Sequence, residues 1–303
     1  MTTTAPQGNT SPQGSGLGGR VNDLYKPGAY RSPIAYIKAT WRARELAFVL
    51  SRARVNSKNA GNRLGRIWLY LDPVLQIAVY ALVFGIVLDA QRGVEGFIAW
   101  LAVGQVTFAF SQRTITGGAV SIQNNRGLLG AFAFPRLVLP VSTTAFTLRL
   151  YLNSLAPVAL AVVVQGFYPR LSWLLFPPLV LWLTLFNFGC GAFAARLGEA
   201  FPDLAPALAQ LFRLLFFVSM ILFPASLFAE SDSELGRLFS ATLPLNPFYC
   251  FVQLARRVLL SYESPHPSQV VLSAALWTIV MLSAGVMSFY KGEGRLGAAR
   301  VRR

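Results

Sequence analysis

The chain has 303 residues, of which 13% are charged and 54% are hydrophobic, and it carries a formal net charge of +15. Soluble domains carry about 25% charged residues, so this composition favours lipid over water as the surroundings of much of the chain. The basic balance does not indicate a nucleic-acid partner, because no basic-aromatic module of the nucleic-acid-binding kind is present.

Residues 1–30 are rich in Thr, Gly, Pro, Gln and Ser and have no apolar stretch, which predicts a disordered cytoplasmic tail. Residues 31–66 follow as a helix and linker. Wound as a helix, "IAYIKATWRARELAFVLSRAR" groups basic side chains with Trp41, which is typical of an amphipathic helix on the cytoplasmic membrane surface. A solvated helix packed on protein is the alternative, because Arg44 interrupts the stripe.

Residues 67–290 contain six segments long enough to cross a hydrocarbon layer, which needs about 20 apolar residues. The sequence therefore predicts an all-α polytopic membrane domain with six transmembrane helices. They are placed near 67–88, 97–118, 143–165, 173–195, 207–229 and 269–290.

The distribution of basic residues predicts the orientation of these spans. Eleven Lys and Arg precede Ile67 and five follow Tyr290, and the basic residues between spans favour the same side as the termini. Because cytoplasmic segments are enriched in Lys and Arg, both termini are predicted to be cytoplasmic, including the basic tail 291–303. The location is then the cytoplasmic membrane.

Between the fifth and sixth spans, "LGRLFSATLPLNPFYCFVQLARRVLL" holds two apolar stretches broken by Pro244 and Pro247. Each stretch is too short to cross, and such lengths are typical of re-entrant or interfacial helices. They are predicted to lie at the outer mouth.

Several kinds of catalytic chemistry are missing from the sequence. It contains no G-x-x-x-x-G-K-[ST] loop, so ATP and Mg²⁺, if used, bind to another chain. The single His266 has no Cys or second His to complete a metal site, and Asp72 is the one acid within a predicted span. No cofactor is predicted for this chain, and these gaps argue against an enzyme.

Ionisable residues inside spans are candidate functional residues. A basic collar at the inner leaflet, able to bind an anionic headgroup, is one hypothesis, since guanidinium binds phosphate in a bidentate way. The alternative is that each arginine extends to the interface for its own solvation. Arg113, Arg149 and Arg213 lie toward the cytoplasmic ends of their predicted spans. Arg63 and Arg66, just before the first span, complete the predicted collar.

Aromatic residues of the predicted fifth span form a second candidate set. Phe212, Phe216 and Phe223 are predicted to lie along one helical face, where they would line a path for sugar rings. Packing in the core or against lipid is the alternative, because Phe is common in any apolar helix.

Between the second and third spans lies "NNRGLLGAFAFPRLVLPVS", residues 124–142. Arg126 to Leu129 is predicted as a short helix opened by Asn124 and Asn125, with Pro135 and Pro140 ending it and restarting the chain. Such a segment projects from the membrane without crossing it. An ordinary ordered inner loop is the alternative.

At these residues the sequence resembles the Wzm-like, polysaccharide-exporting subfamily of ABC-2 type permeases. The match is to that family's "N-x-G-L-[IL]…F-P-x-x-x-L-P" coupling helix and its exit. Further motifs extend the resemblance over most of residues 40–290, among them "FPDLAPALAQLFRLLFFVSMILFP" and "LNPFYCFVQLARRVLL" with Asn246, Pro247 and Arg256. Actinobacterial galactan exporters look like the nearest relatives.

The resemblance implies a permease homodimer assembled with two Wzt-like ABC ATPase subunits, and a polyprenyl-diphosphate-linked glycan as cargo. It implies that the coupling segment contacts the ATPase. The residues carried over to that contact are Asn125, Arg126, Gly127, Leu128, Leu129, Phe134, Pro135, Arg136 and Pro140.

Three functions compete at this level. ATP-driven export of a galactan or O-antigen-like glycan leads, with teichoic-acid export as a variant within the family. A polytopic lipid-linked glycan transferase would favour a carboxylate cluster, which the sequence lacks. An ion-coupled carrier would favour an internal repeat, and none is evident.

Overall fold

The computed structural model describes residues 32–58, 67–83, 94–225 and 234–301, and within these ranges the chain is all-helical. Eleven α-helices occur there, joined in places by short 3-10 turns. They are α1 (Pro33–Arg42), α2 (Arg44–Lys58), α3 (Trp68–Tyr80), α4 (Phe97–Ala119), α5 (Arg126–Ala131), α6 (Val138–Val164), α7 (Phe176–Ala200), α8 (Leu204–Val218), α9 (Glu234–Thr242), α10 (Pro247–Leu260) and α11 (Pro267–Val301).

Helix α4 is the centre of the bundle. It packs on α6, α7 and α10, while α7 also packs along α11. Most α4 side chains are buried, including Trp100, Phe108 and Phe110. The predicted second span is therefore a helix as expected, but protein surrounds most of it.

Small residues allow these helices to approach closely. A Cβ at Gly118 would overlap the carbonyl oxygen of Gly191, and a Cβ at Gly189 would lie 2.6 Å from the backbone nitrogen of Leu282. Backbone contact of this kind is the main way in which helices associate within lipid, where burial of apolar surface gives no net drive. Glycines therefore set the spacing of α4, α7 and α11.

Gly198→Ala is expected to destabilise the bundle, because the added methyl would overlap the Ala119 carbonyl oxygen, which is backbone and cannot rotate away. A loss of about 1 to 3 kcal/mol is expected from overpacking. Thermal unfolding of the purified chain in detergent measures it. Gly130→Ala is the matched control, since nothing lies within 4 Å of its new Cβ. Equal stability of the two variants would contradict the close-packing account.

Three helices in the described ranges are both long and apolar enough to cross a membrane. They cover Val138–Val164, Leu171–Ala200 and Pro267–Gly292, the second including a 3-10 turn. The 27 residues of α6 rise about 40 Å, more than the roughly 30 Å of a hydrocarbon core. These helices confirm the predicted third, fourth and sixth spans as apolar helices.

The predicted first and fifth spans correspond to shorter apolar helices. The first covers Trp68–Val83, and residues 84–88 lie outside the described ranges. The prediction of one continuous fifth span over 207–229 is wrong, because α8 ends at Val218 and Met220 adopts a left-handed conformation with φ of 53°. At 15 residues, α8 rises only about 22 Å.

The segment before the first predicted span is two helices, not one. The chain breaks at Ala43, whose backbone leaves the helical region between α1 and α2. Tyr36, Ala47 and Ser51 are buried against the bundle. Trp41 and Phe48 are exposed on the other side. The segment thus packs on protein and also presents an apolar surface.

Short helices occupy the region predicted to be re-entrant. Helix α9 is followed by a 3-10 turn at Leu243–Leu245 and then by α10. Asn246 caps α10, because its Oδ1 accepts from the backbone N–H groups of Phe248 and Tyr249, and Pro247 occupies the first turn. The prolines therefore separate short helices as the sequence predicted.

Candidate coupling segment and cation sites

The coupling segment, residues 124–137, contains the predicted short helix. Helix α5 begins at Arg126 and continues two residues further than expected, to Ala131. Asn125 precedes it, but its side-chain amide donates to the Ser121 carbonyl at 2.6 Å instead of capping α5. The Asn125 side chain therefore bonds to the turn that follows α4 and does not cap α5.

One side of the coupling segment is anchored in a hydrophobic cluster. Phe134 is 3% exposed, and Leu128 and Leu129 pack partly against the same cluster. The backbone N–H of Leu137 donates to the Tyr36 hydroxyl at 3.3 Å. The Phe134 side chain, assigned by resemblance to the ATPase contact, thus lies within the protein, where it holds the segment against α1.

Prolines and an ion pair fix the exit of this segment. Pro135 is buried, and Pro140 is buried in the first turn of α6, a position that tolerates the missing N–H. Arg136 forms an ion pair with Glu199 at 2.7 Å, and Arg196 binds the other oxygen of the same carboxylate. Arg136 therefore ties the segment to the end of α7.

The outward side of the segment is formed by different residues. Arg126 and Gly127 are exposed, and Phe132 is 49% exposed directly after α5. A large apolar side chain at a projecting turn costs solvation unless a partner covers it. Sequence reasoning did not select Phe132, because the motif match skips its position.

Of the five arginines predicted to form a basic collar, the structure describes Arg113, Arg149 and Arg213, and it does not place these three around one cavity. Arg63 and Arg66 lie outside the described ranges. Arg113 lines a cavity of about 420 Å³, and neither Arg149 nor Arg213 lines it. Arg213 is exposed on α8 and donates to Gln210 at 3.2 Å. Among the described arginines of the set, Arg113 is the one that lines this cavity.

Arg54, which sequence reasoning left out, lines the same cavity. It lies on α2, packed against α6, and its Nη1 donates to the Thr143 hydroxyl at 2.8 Å. The sequence offered a weak signal, since Arg54 was one basic residue among many before the first predicted span.

The three phenylalanines do not share a helical face. Phe223 lies beyond the end of α8, so that part of the prediction is wrong. Phe212 is buried and meets Phe108 edge-on with ring centroids 5.7 Å apart. Phe216 stacks on Tyr80 at 5.4 Å. Phe212 and Phe216 thus belong to an aromatic cluster, which fits the packing alternative.

A fully buried arginine joins three parts of the bundle. The Arg256 guanidinium of α10 donates to the Trp100 carbonyl at 3.2 Å and lies 3.3 Å from the centre of the Trp100 ring. It also donates to the carbonyls of Met220 and Ile221, at 2.9 and 3.1 Å, in the turn after α8. Gly104 makes room, since a Cβ there would lie 2.5 Å from Arg256 Nη2.

The length and apolar composition of the helices indicate the class of protein to which the chain belongs. The described chain is an all-helical bundle with three apolar helices long enough to span a bilayer and a short projecting helix between two long ones. It is a multi-pass membrane protein.

Several known proteins are similar to the chain along most of its length. The chain is 25% identical to the O-antigen export system permease protein RfbA of Myxococcus xanthus over 251 residues, which cover 83% of this chain and 94% of the relative. It is 23% identical to RfbA of Klebsiella pneumoniae over 79% of this chain and 90% of that protein. The polysialic acid transport protein KpsM of Escherichia coli is 26% identical over 76% and 87%.

No family model matches the chain. The relatives nevertheless confirm the resemblance drawn from the motifs, because they are polysaccharide export permeases and the matches cover 87 to 94% of their length. The chain is a homologue of that group.

Proposed function

We propose that this protein is the membrane permease subunit of an ATP-driven ABC exporter that moves a polyprenyl-diphosphate-linked polysaccharide across the cytoplasmic membrane. The observation that carries the proposal is its homology, along more than three quarters of the chain, to permeases named for O-antigen export and polysialic acid transport. The cargo is a galactan or O-antigen-like glycan, with a teichoic acid as the alternative within the family.

Energy for transport comes from a separate Wzt-like ATPase subunit that binds ATP and Mg²⁺. The full sequence has no P-loop, so this chain does not bind nucleotide by that mechanism. The coupling segment is the surface that receives the ATPase, because it projects from the bundle and exposes Phe132. Two permeases and two ATPase subunits form the complex.

The protein has six spans, with both termini on the cytoplasmic side. The basic residues concentrated before Ile67 and after Tyr290 support this orientation through the positive-inside rule. Helices α1 and α2 lie along the cytoplasmic interface. Their exposed Trp41, beside which Arg44 lies at 5.3 Å in a cation–π contact, supports that placement.

Depletion of this protein is expected to leave glycan synthesis intact and to trap the lipid-linked product inside the cell. The lipid-linked glycan is extracted from intact cells before and after treatment with a glycan-degrading enzyme added from outside. The total gives its amount, and the fraction that resists the enzyme gives the share on the cytoplasmic side of the membrane. Re-expression of the intact chain is the control. Loss of the lipid-linked glycan, without accumulation, would instead support the transferase hypothesis.

A further inference from the structure

A cavity lies between α2, α4 and α6, at the end of the bundle that carries the coupling segment. Its volume is about 420 Å³, within the range of small-ligand sites. Asn124, in the coupling segment, is part of its wall. The lining residues are Arg54, Arg113, Thr116, Gly117, Val120, Ser121, Asn124, Thr143, Phe146, Thr147 and Leu150.

Two cationic side chains reach this cavity from different helices. Arg54 comes from α2 and Arg113 from α4. Asp72 on α3 attracts Arg113 electrostatically, and in the described part of the chain no carboxylate forms a salt bridge with Arg54. Burial lowers the pKa of Arg54, but arginine stays charged at neutral pH. The cavity therefore holds excess positive charge.

The Ser121 hydroxyl differs from the other hydroxyls in the wall of the cavity. Ser121 is 1% exposed, and its Oγ has no hydrogen-bond partner within the described ranges. Other hydroxyls of the wall are occupied, since Thr116 donates to the Gln112 carbonyl and Thr147 to the Thr143 carbonyl. A buried hydroxyl without a partner costs about 1 to 3 kcal/mol, which a bound acceptor removes.

We propose that this cavity binds a phosphate-ester anion, with Arg54, Arg113 and the Ser121 hydroxyl as its donors. Guanidinium groups bind phosphate oxygens in a fork, and two of them from separate helices suit a group with more than one charge. Within the described ranges Arg54 pairs with no carboxylate and the Ser121 hydroxyl has no hydrogen-bond partner, and one bound phosphate would satisfy both groups. The identity of the natural ligand rests on the proposed function.

Two sources carry this chemistry: the diphosphate of the lipid-linked glycan and the headgroup of an anionic phospholipid. Either would lie beside Ser121 and Asn124, where α4 leads into the coupling segment. Arg54 and Ser121 are new assignments, and Arg113 keeps the role that the sequence suggested.

The test measures binding of fluorescent farnesyl diphosphate to the purified full chain in phosphatidylcholine nanodiscs. Arg54→Gln and Arg113→Gln are each expected to weaken binding about tenfold or more, as for loss of a hydrogen bond to a charged group. Labelled farnesol, which lacks phosphate, should bind poorly to all. Arg213→Gln is the control for surface charge, because Arg213 is exposed outside the cavity.

Ser121→Ala separates binding from folding. This variant is expected to keep or raise the melting temperature, since it removes an unpartnered hydroxyl, yet to weaken binding severalfold. Adding phosphatidylglycerol to the nanodiscs distinguishes the two sources of the anion. If phosphatidylglycerol displaces the probe from the wild type but not from Arg54→Gln, the cavity binds a phospholipid headgroup. If phosphatidylglycerol does not displace the probe, the cavity binds the diphosphate of the lipid-linked glycan.

Wild-type affinity in Arg54→Gln and Ser121→Ala would overturn the proposal, as would equal weakening by Arg213→Gln. The measurement uses the permease alone, so it does not depend on export or on an ATPase. If binding fails while depletion still traps glycan, the anion site is wrong and the transport function stands.

Discussion

Arg256→Met is expected to cost at least about 2 kcal/mol of stability, because it removes the donor of two buried turn carbonyls, Met220 and Ile221, at about 1 to 3 kcal/mol each. Methionine fills part of the volume but donates no hydrogen bond. Removing the cation also removes its own desolvation cost, but the stranded acceptors and the lost contact with Trp100 outweigh that gain.

Thermal unfolding in detergent measures the effect, with Arg257→Met as the matched control. Arg257 is the next residue of α10 and is exposed, so its replacement changes the same charge without uncovering carbonyls. The melting temperature of Arg256→Lys should lie between those of the wild type and Arg256→Met, since one ammonium keeps the charge but cannot reproduce the planar set of guanidinium donors. Equal melting temperatures for the Arg256→Met and Arg257→Met variants would show that the buried contacts add little.

The role of Arg256 was beyond sequence reasoning, although the motif that contains it was found. Its partners lie 156, 36 and 35 residues earlier in the chain. Asn246 adds to the same junction, since its amide donates to the Ser219 hydroxyl at 3.0 Å. A motif marks such positions, but only the packed structure supplies the acceptors.

Hydropathy predicted the long helices well and failed after α8 for a physical reason. Apolar composition reports burial and does not distinguish helix from a buried turn. Met220, Ile221 and Leu222 are all buried, yet the chain turns there. The turn is stable because its carbonyls bond Arg256, which local sequence does not reveal.

In the coupling segment, too, some features could be predicted from local sequence and others depend on distant contacts. Its helix and its prolines followed from local sequence, since glycine, asparagine and proline act through their own backbone. The inward position of Phe134 did not, because it depends on contacts with residues such as Tyr36, whose hydroxyl accepts from the N–H of Leu137, 101 residues later. The motif selected Phe134 and skipped Phe132, but the structure buries Phe134 and exposes Phe132.

Phe132→Asp is expected to abolish copurification of the ATPase subunit while leaving the permease folded. The side chain is 49% exposed, so aspartate meets water in the isolated chain, but it would place a charge within an apolar contact once the partner docks. A residue at the centre of such a contact is worth about 2 kcal/mol or more, a loss that pull-down detects.

Two variants make that result specific. Tyr168→Asp places the same charge at a 67% exposed aromatic beyond the far end of α6, about 40 Å from the coupling segment, and should keep the partner. Phe134→Asp should instead lower the melting temperature, because it buries a charge in the cluster around Tyr36. Retention of the ATPase by folded Phe132→Asp would mean that the partner docks elsewhere, and the coupling segment would then be an ordered loop held by Phe134 and Arg136.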